Sequence, residues 1–193
     1  MKKKIFLIKI FLIFSIFTFS QNKTPELDSL EHMKISEMSL EKVNELTKYI
    51  SIIGGKTTKR ELANQMINAA VELFINEDCL MGVSSLRKPD SIIYYPVRKY
   101  FNRLKMLKYN KVIIKSAEIK YESNLIRMPD NSYGGAVAFF QTFIAYNGDE
   151  IAYKDKTIKV SEIKVKSEQQ IINGENVPYW DIFLGDIRVK ETK

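Results

Sequence analysis

The sequence predicts an α+β fold, with a curved antiparallel sheet packed against N-terminal helices. Three observations carry this. Apolar residues recur at helical spacing over the first half of the chain. After Tyr109 the period becomes strand-like and stays so. Short turn signals, Asn147-Gly148-Asp149 and Gly174-Glu175-Asn176, then separate the strands. Helices first and antiparallel strands afterwards is the order of an α+β domain.

Residues 1–20 read as a cleavable signal peptide. Met1-Lys2-Lys3-Lys4 is a positive start, and the uninterrupted apolar run Ile10 to Phe19 follows. At about 1.5 Å per residue this run spans roughly 15 Å, half a hydrocarbon core, which is too short for an anchor. Thr18-Phe19-Ser20 supplies a cleavage site and leaves Gln21 as the new N-terminus. The expected location is therefore outside the cytoplasm, in the periplasm of a Gram-negative bacterium or secreted, with no transmembrane span after cleavage. Residues 21–39 are polar, contain Pro25 and read as a tether; residues 40–193 read as one domain.

The first helix is expected over Leu40 to Ile53, with Ser39 as N-cap and the stripe Leu40, Val43, Leu46, Ile50, Ile53. Gly54-Gly55 ends it as a left-handed cap. Thr58-Lys59-Arg60-Glu61 reads as a capping box for a second helix whose apolar face is Leu62, Met66, Ala69, Ala70 and Leu73. Cys79 to Leu86 is an extended run closed by Arg87-Lys88-Pro89-Asp90. A third helix starts near Pro96 and buries Val97, Tyr100, Phe101, Leu104 and Leu107. Four strands follow, over Lys111 to Glu122, Tyr133 to Tyr146, Tyr153 to Lys166 and Pro178 to Lys190. In the third of these the apolar set moves from even positions (Ile158, Val160) to odd ones (Ile163, Val165), which predicts a β-bulge near Ser161 and Glu162.

Composition narrows the chemistry. The formal charge of +7 includes Lys2, Lys3, Lys4 and Lys9; without them 26 basic residues face 23 acidic ones. So balanced a domain is not a nucleic-acid binder by composition. Cys79 is the only cysteine and His32 the only histidine. An intramolecular disulfide is excluded, a zinc site of the usual His and Cys ligands lacks its ligands, and Cys79 beside Leu80 and Met81 reads as a buried thiol. No metal or cofactor is expected.

Several segments carry a resemblance: Lys48-Tyr49-Ile50-Ser51-Ile52-Ile53, Val83-Ser84-Ser85-Leu86, Tyr95-Pro96-Val97-Arg98-Lys99-Tyr100-Phe101-Asn102-Arg103-Leu104, Phe140-Gln141-Thr142-Phe143 and Leu184-Gly185-Asp186-Ile187. With the element order, they resemble an exported bacterial branch of the nuclear transport factor 2-like superfamily, also called cystatin-like or SnoaL-like. The resemblance implies a cone-shaped sheet over residues 40 to 190. It also implies a choice between enzymes, ligand binders and dimerisation modules, because this fold hosts all three. Catalytic members use an Asp with His or Tyr inside the cone.

No catalytic residue is assigned from the sequence. Tyr121, Gln141 and Asp181 are the candidate ligand-binding residues, with Asp181 as base and the other two as hydrogen-bond donors. Strand parity speaks against Asp181, which shares its face with Tyr179 and Phe183 while Trp180 points oppositely. Arg98, Lys99, Arg103 and Lys105, on an acid-free stretch of the third helix, are the candidate partner-binding residues for an acidic envelope partner; a solvated face is the plainer reading. The expectation is an exported non-enzymatic binding or interaction module of the cell envelope, homodimeric through the outer face of its sheet. The alternative is a small-ligand binder, or a cofactor-free lyase or isomerase, that uses the cone interior. An open cavity holding an acid would favour the alternative.

Overall fold

A computed structural model describes residues 27–193, without the side chains of residues 89, 90, 118, 119, 121 and 122. The expected signal peptide lies outside the described residues. The chain is α+β: helices α1 (Ser29–Gly54), α2 (Arg60–Glu72) and α3 (Val97–Lys105), with strands β1 (Leu80–Ser85), β2 (Lys88–Pro96), β3 (Lys111–Arg127), β4 (Tyr133–Asn147), β5 (Glu150–Ile172) and β6 (Glu175–Thr192). The six strands form one sheet in the order β2-β1-β6-β5-β4-β3, antiparallel throughout except where β1 meets β6.

Helix α1 starts eleven residues before the expected Leu40. Asp28 is its N-cap, accepting from the Glu31 N–H at 2.7 Å, while the Glu31 carboxylate accepts from the Asp28 N–H at 3.1 Å. The polar look of this stretch concealed a helix because a single apolar stripe is enough to dock one face. Ile35 is buried with Tyr133, Val165 and Ile182, and the Trp180 indole donates to Glu31 at 3.1 Å. The supposed N-cap Ser39 is buried in the helix and donates back to the Ile35 carbonyl at 2.7 Å. At its other end Thr47 and Ser51 donate to Ser116 and to the Ile114 carbonyl of β3, both at 2.8 Å.

The helix junction also differs from expectation. Thr58 does not cap α2; its hydroxyl donates to the Ile52 carbonyl at 2.8 Å and closes α1, and the N-cap of α2 is Lys59, without a side-chain bond. Gly55 is extended (φ −64°), not left-handed, and its lack of a Cβ matters sterically: a Cβ would sit 2.8 Å from the Thr58 hydroxyl. Helix α2 buries Ala63, Ile67, Ala70 and Val71; of the expected stripe Ala70 and Leu73 are buried and Met66 packs partly against the core, while Leu62 is 43 % exposed.

The turn is Leu86-Arg87 alone, and Lys88, Pro89 and Asp90 of the expected closing segment belong to edge strand β2, where a proline is tolerated. Pro96 is the N-cap residue of α3, whose Val97, Phe101 and Leu104 are buried. The β4–β5 turn is Gly148-Asp149, with Gly148 at φ +63°. Between β5 and β6 both Asn173 and Gly174 have positive φ, the geometry of a tight type I′ hairpin, so both strands run further than expected.

The main core joins α1, α2 and α3 to the inner face of the sheet, with Leu46, Ile50, Phe101, Val137, Phe139, Leu184 and Ile187 all buried. Each such side chain contributes roughly 1.5–3 kcal/mol by burial.

The predicted bulge exists, but on β6. β4 pairs continuously with β5 from Tyr133↔Val165 to Ala145↔Tyr153. Against β6 the register jumps between Ser161↔Ile187 and Ile163↔Leu184, which leaves Gly185 and Asp186 opposite Glu162 alone. The buried face of β6 accordingly changes from Ile182 and Leu184 to Ile187 and Val189. A Gly185 Cβ would lie 2.9 Å from the Glu162 Cβ, and Asp186 accepts from the Leu80 N–H at 2.8 Å, holding the start of β1. From Tyr153 to Val165 β5 does not change face: Asp155, Thr157, Lys159, Ser161, Ile163 and Val165 are all buried on the inner side, while Ile158 and Val160 lie on the outer one.

Candidate functional site

The polar half of the inner face of β5 opens onto a cavity of about 660 Å³. Its floor is Asp155, Thr157 and Lys159 with Gln141 and Phe143 of β4; α3 covers it with Tyr100 and Arg103. The hairpin β1–β2 supplies Ser84 and Tyr95 on a third side. Two-residue periodicity explains the grouping, since Asp155, Thr157 and Lys159 are successive inward positions and Gln141 pairs directly with Thr157.

Polar groups here are deeply placed. Gln141 is 7 % exposed, Asp155 7 % and Lys159 4 %. The Tyr153 hydroxyl donates to Asp155 Oδ2 at 2.6 Å and accepts from the Leu86 N–H at 3.0 Å. Burial pushes the Asp155 carboxyl up, with the Tyr153 bond and the Lys159 charge pulling it partly back. Burial lowers Lys159 to about 8, opposed by Asp155. It raises Tyr153 to about 12, helped by the bond to Asp155, and raises Tyr100 as well. Among the described residues the Lys159 ammonium takes no hydrogen bond or ion pair; it lies 5.7 Å from the Tyr100 ring centre. A second polar path runs from Ser84 to Thr192, with Thr192 3.5 Å from Thr157.

The cavity walls are aromatic. Phe143 packs edge-on against Tyr153 at 5.9 Å and Tyr109 at 6.5 Å. Arg103 stacks over Tyr95 at 4.4 Å. This arrangement can hold a small organic molecule between rings and offer it a carboxylate, an amine and an amide.

Of the three residues expected to line a pocket, Gln141 does so and Asp181 does not. Asp181 is on the outer side of β6, paired with Lys166, and its carboxylate accepts from the Ile182 N–H at 2.9 Å. Tyr121 pairs with Val137, four residues along β4 from Gln141, which is roughly 13 Å of strand; its side chain lies outside the described residues. The four basic residues do not form one patch. Arg98 pairs with Glu77 at 2.6 Å and donates to Asn68 at 2.8 Å, and Lys105 donates to Asn64 at 2.7 Å, all toward the α2 side. Lys99 lies 6.0 Å from the Tyr95 ring centre, and Arg103 lines the cavity.

Sequence reasoning missed Asp155, Lys159 and Tyr153. The signal was present as the parity change in β5. It marks a polar stretch of inner face rather than a change of face. Cys79 is buried, bonded to Asn76, and its thiol is pushed up by burial. His32 lies on α1, away from the cavity lining. Among the described residues no helix is long and apolar enough to cross a membrane, and no three His, Cys, Asp or Glu side chains cluster as a metal site would need. No protein family, curated protein or solved structure matches this chain.

Proposed function

We propose that this is an exported small-ligand-binding protein with a nuclear transport factor 2-like cone, and that the ligand sits in the cavity between α3 and the sheet. The observation that carries this is the cavity itself: about 660 Å³ containing a buried acid, a buried amine and a buried amide among aromatic walls. Sites for small molecules are typically of this size and composition, roughly 300–1,000 Å³ and mostly apolar with a few convergent polar groups. Burying Asp155 and Lys159 is costly unless the groups are used.

A second reading, a cofactor-free lyase or isomerase, is favoured by Asp155. A carboxylate raised by burial and held by the Tyr153 hydroxyl is suited to general base chemistry. The interaction-module reading has less support, since Arg98 and Lys105 are engaged within the chain. A homodimer would use the outer face of the sheet, where Ala138, Phe140, Ile158 and Val160 lie together in register.

The test is titration of the mature chain with phenylnaphthylamine, an uncharged fluorophore of aromatic-ligand size. Saturable binding to one site is expected. A cavity-filling Thr157→Trp variant that still unfolds cooperatively should lose it. Absence of saturable binding, or binding unchanged by the filled cavity, would overturn the reading.

A further inference from the structure

The inner face of β5 leaves one group unused by the fold. Lys159 is 4 % exposed, faces the cavity and has no acceptor among the described residues. A buried ammonium without a counter-charge at bonding distance is destabilising. Its one charged influence, Asp155, sits two inward positions away, roughly 13 Å along the strand, and already accepts from Tyr153. The rim adds positive charge: Arg87, Arg103 and Lys108 are exposed and line the same opening. Asp155 is thus the sole anionic side chain among the described lining residues, against four cations.

We infer that the ligand of this cavity carries an organic anionic group, a carboxylate or sulfonate, seated on the Lys159 ammonium, with an aromatic or aliphatic body lying toward Phe143. This rests on the ligand-binding reading above. The polarity of binding follows from the strand. An anionic head is attracted at Lys159 and repelled at Asp155, so the acid orients the ligand rather than gripping it. Arg103, stacked on Tyr95 at the rim, steers the anion inward without needing a permanent contact.

The experiment compares two dyes on the mature chain: anilinonaphthalene sulfonate, and phenylnaphthylamine, which is the same skeleton without the sulfonate. The sulfonate should bind tighter by about tenfold or more, the size of a charge-assisted hydrogen bond. Lys159→Met should abolish the preference and keep phenylnaphthylamine binding and a cooperative thermal transition. In unaltered protein the preference should also fade between pH 7 and 9.5, as Lys159 passes through about 8. Burial raises the facing phenols Tyr100 and Tyr153 above that window; Asp155, Arg87, Arg103 and Lys108 are the other described charged residues that line the cavity. Equal affinities for the two dyes, or a preference that survives Lys159→Met or high pH, would overturn the anion site while leaving the cavity reading intact. Failure of both dyes to bind would remove both.

Discussion

Lys159 and Asp155 show how a single position can be bad for folding and good for a site. Burial disfavours the charged form of each, so both pKa values move toward neutrality, Lys159 downward and Asp155 upward. Below pH 8 the Lys159 amine is charged in both the folded and the unfolded chain, and its burial penalty is fully present. Between about 8 and 10 the folded chain has released a proton that the unfolded chain still holds, so stability rises with pH. At pH 7 Lys159→Met should therefore be more stable than the parent, by up to roughly 3 kcal/mol for a shift of this size. The gap should narrow by pH 9.5. Urea denaturation of the two proteins at both pH values measures this, and the comparison cancels Cys79, whose raised thiol acts in the opposite direction. A gap independent of pH would mean that Lys159 is not a buried cation.

Among the elements, α1 and β6 depart furthest from their sequence patterns, for different reasons. α1 extends N-terminally because Asp28 and Glu31 satisfy its free N–H groups and because Ile35 and Trp180 give it something to dock on. Asp28→Ala should cost about 0.5–2 kcal/mol of global stability in urea denaturation. No loss would mean that this stretch behaves as the tether its composition suggested. In β6 the one extra residue at Gly185-Asp186 changes which side chains face inward, and so lets β6 contribute Ile182 and Leu184 in one half and Ile187 and Val189 in the other. β5 beside it keeps strict alternation from Tyr153 to Val165. The parity change in the sequence of β5 was a true signal at the right place, opposite the bulge. It was assigned to the wrong strand, because alternation alone cannot distinguish a turned strand from an inner face that becomes polar.

At the scale of the whole molecule, export remains our proposal, and it has its own test. Protein recovered from its host should begin at Gln21, with or without cyclisation, and intact Met1 in the mature pool seen by mass spectrometry would reject it.

The α+β class was legible in the amino-acid order, because helical and strand periods are local and each is written within a dozen residues. So were the hairpin at Gly148, the start of α3 at Pro96, the burial of Cys79 and the inward side of Gln141. What tertiary structure alone decided was pairing. It set which face of β5 is inner, whether Thr58 serves the helix behind it or the one ahead, and where the charges of α3 go. Asp155 and Lys159 looked like surface residues because a charge on a strand is ordinarily solvated. They became a site when β4, α3 and the β1–β2 hairpin enclosed that face. Enclosure is a long-range property of residues up to about seventy positions apart in the chain, and no local period encodes it.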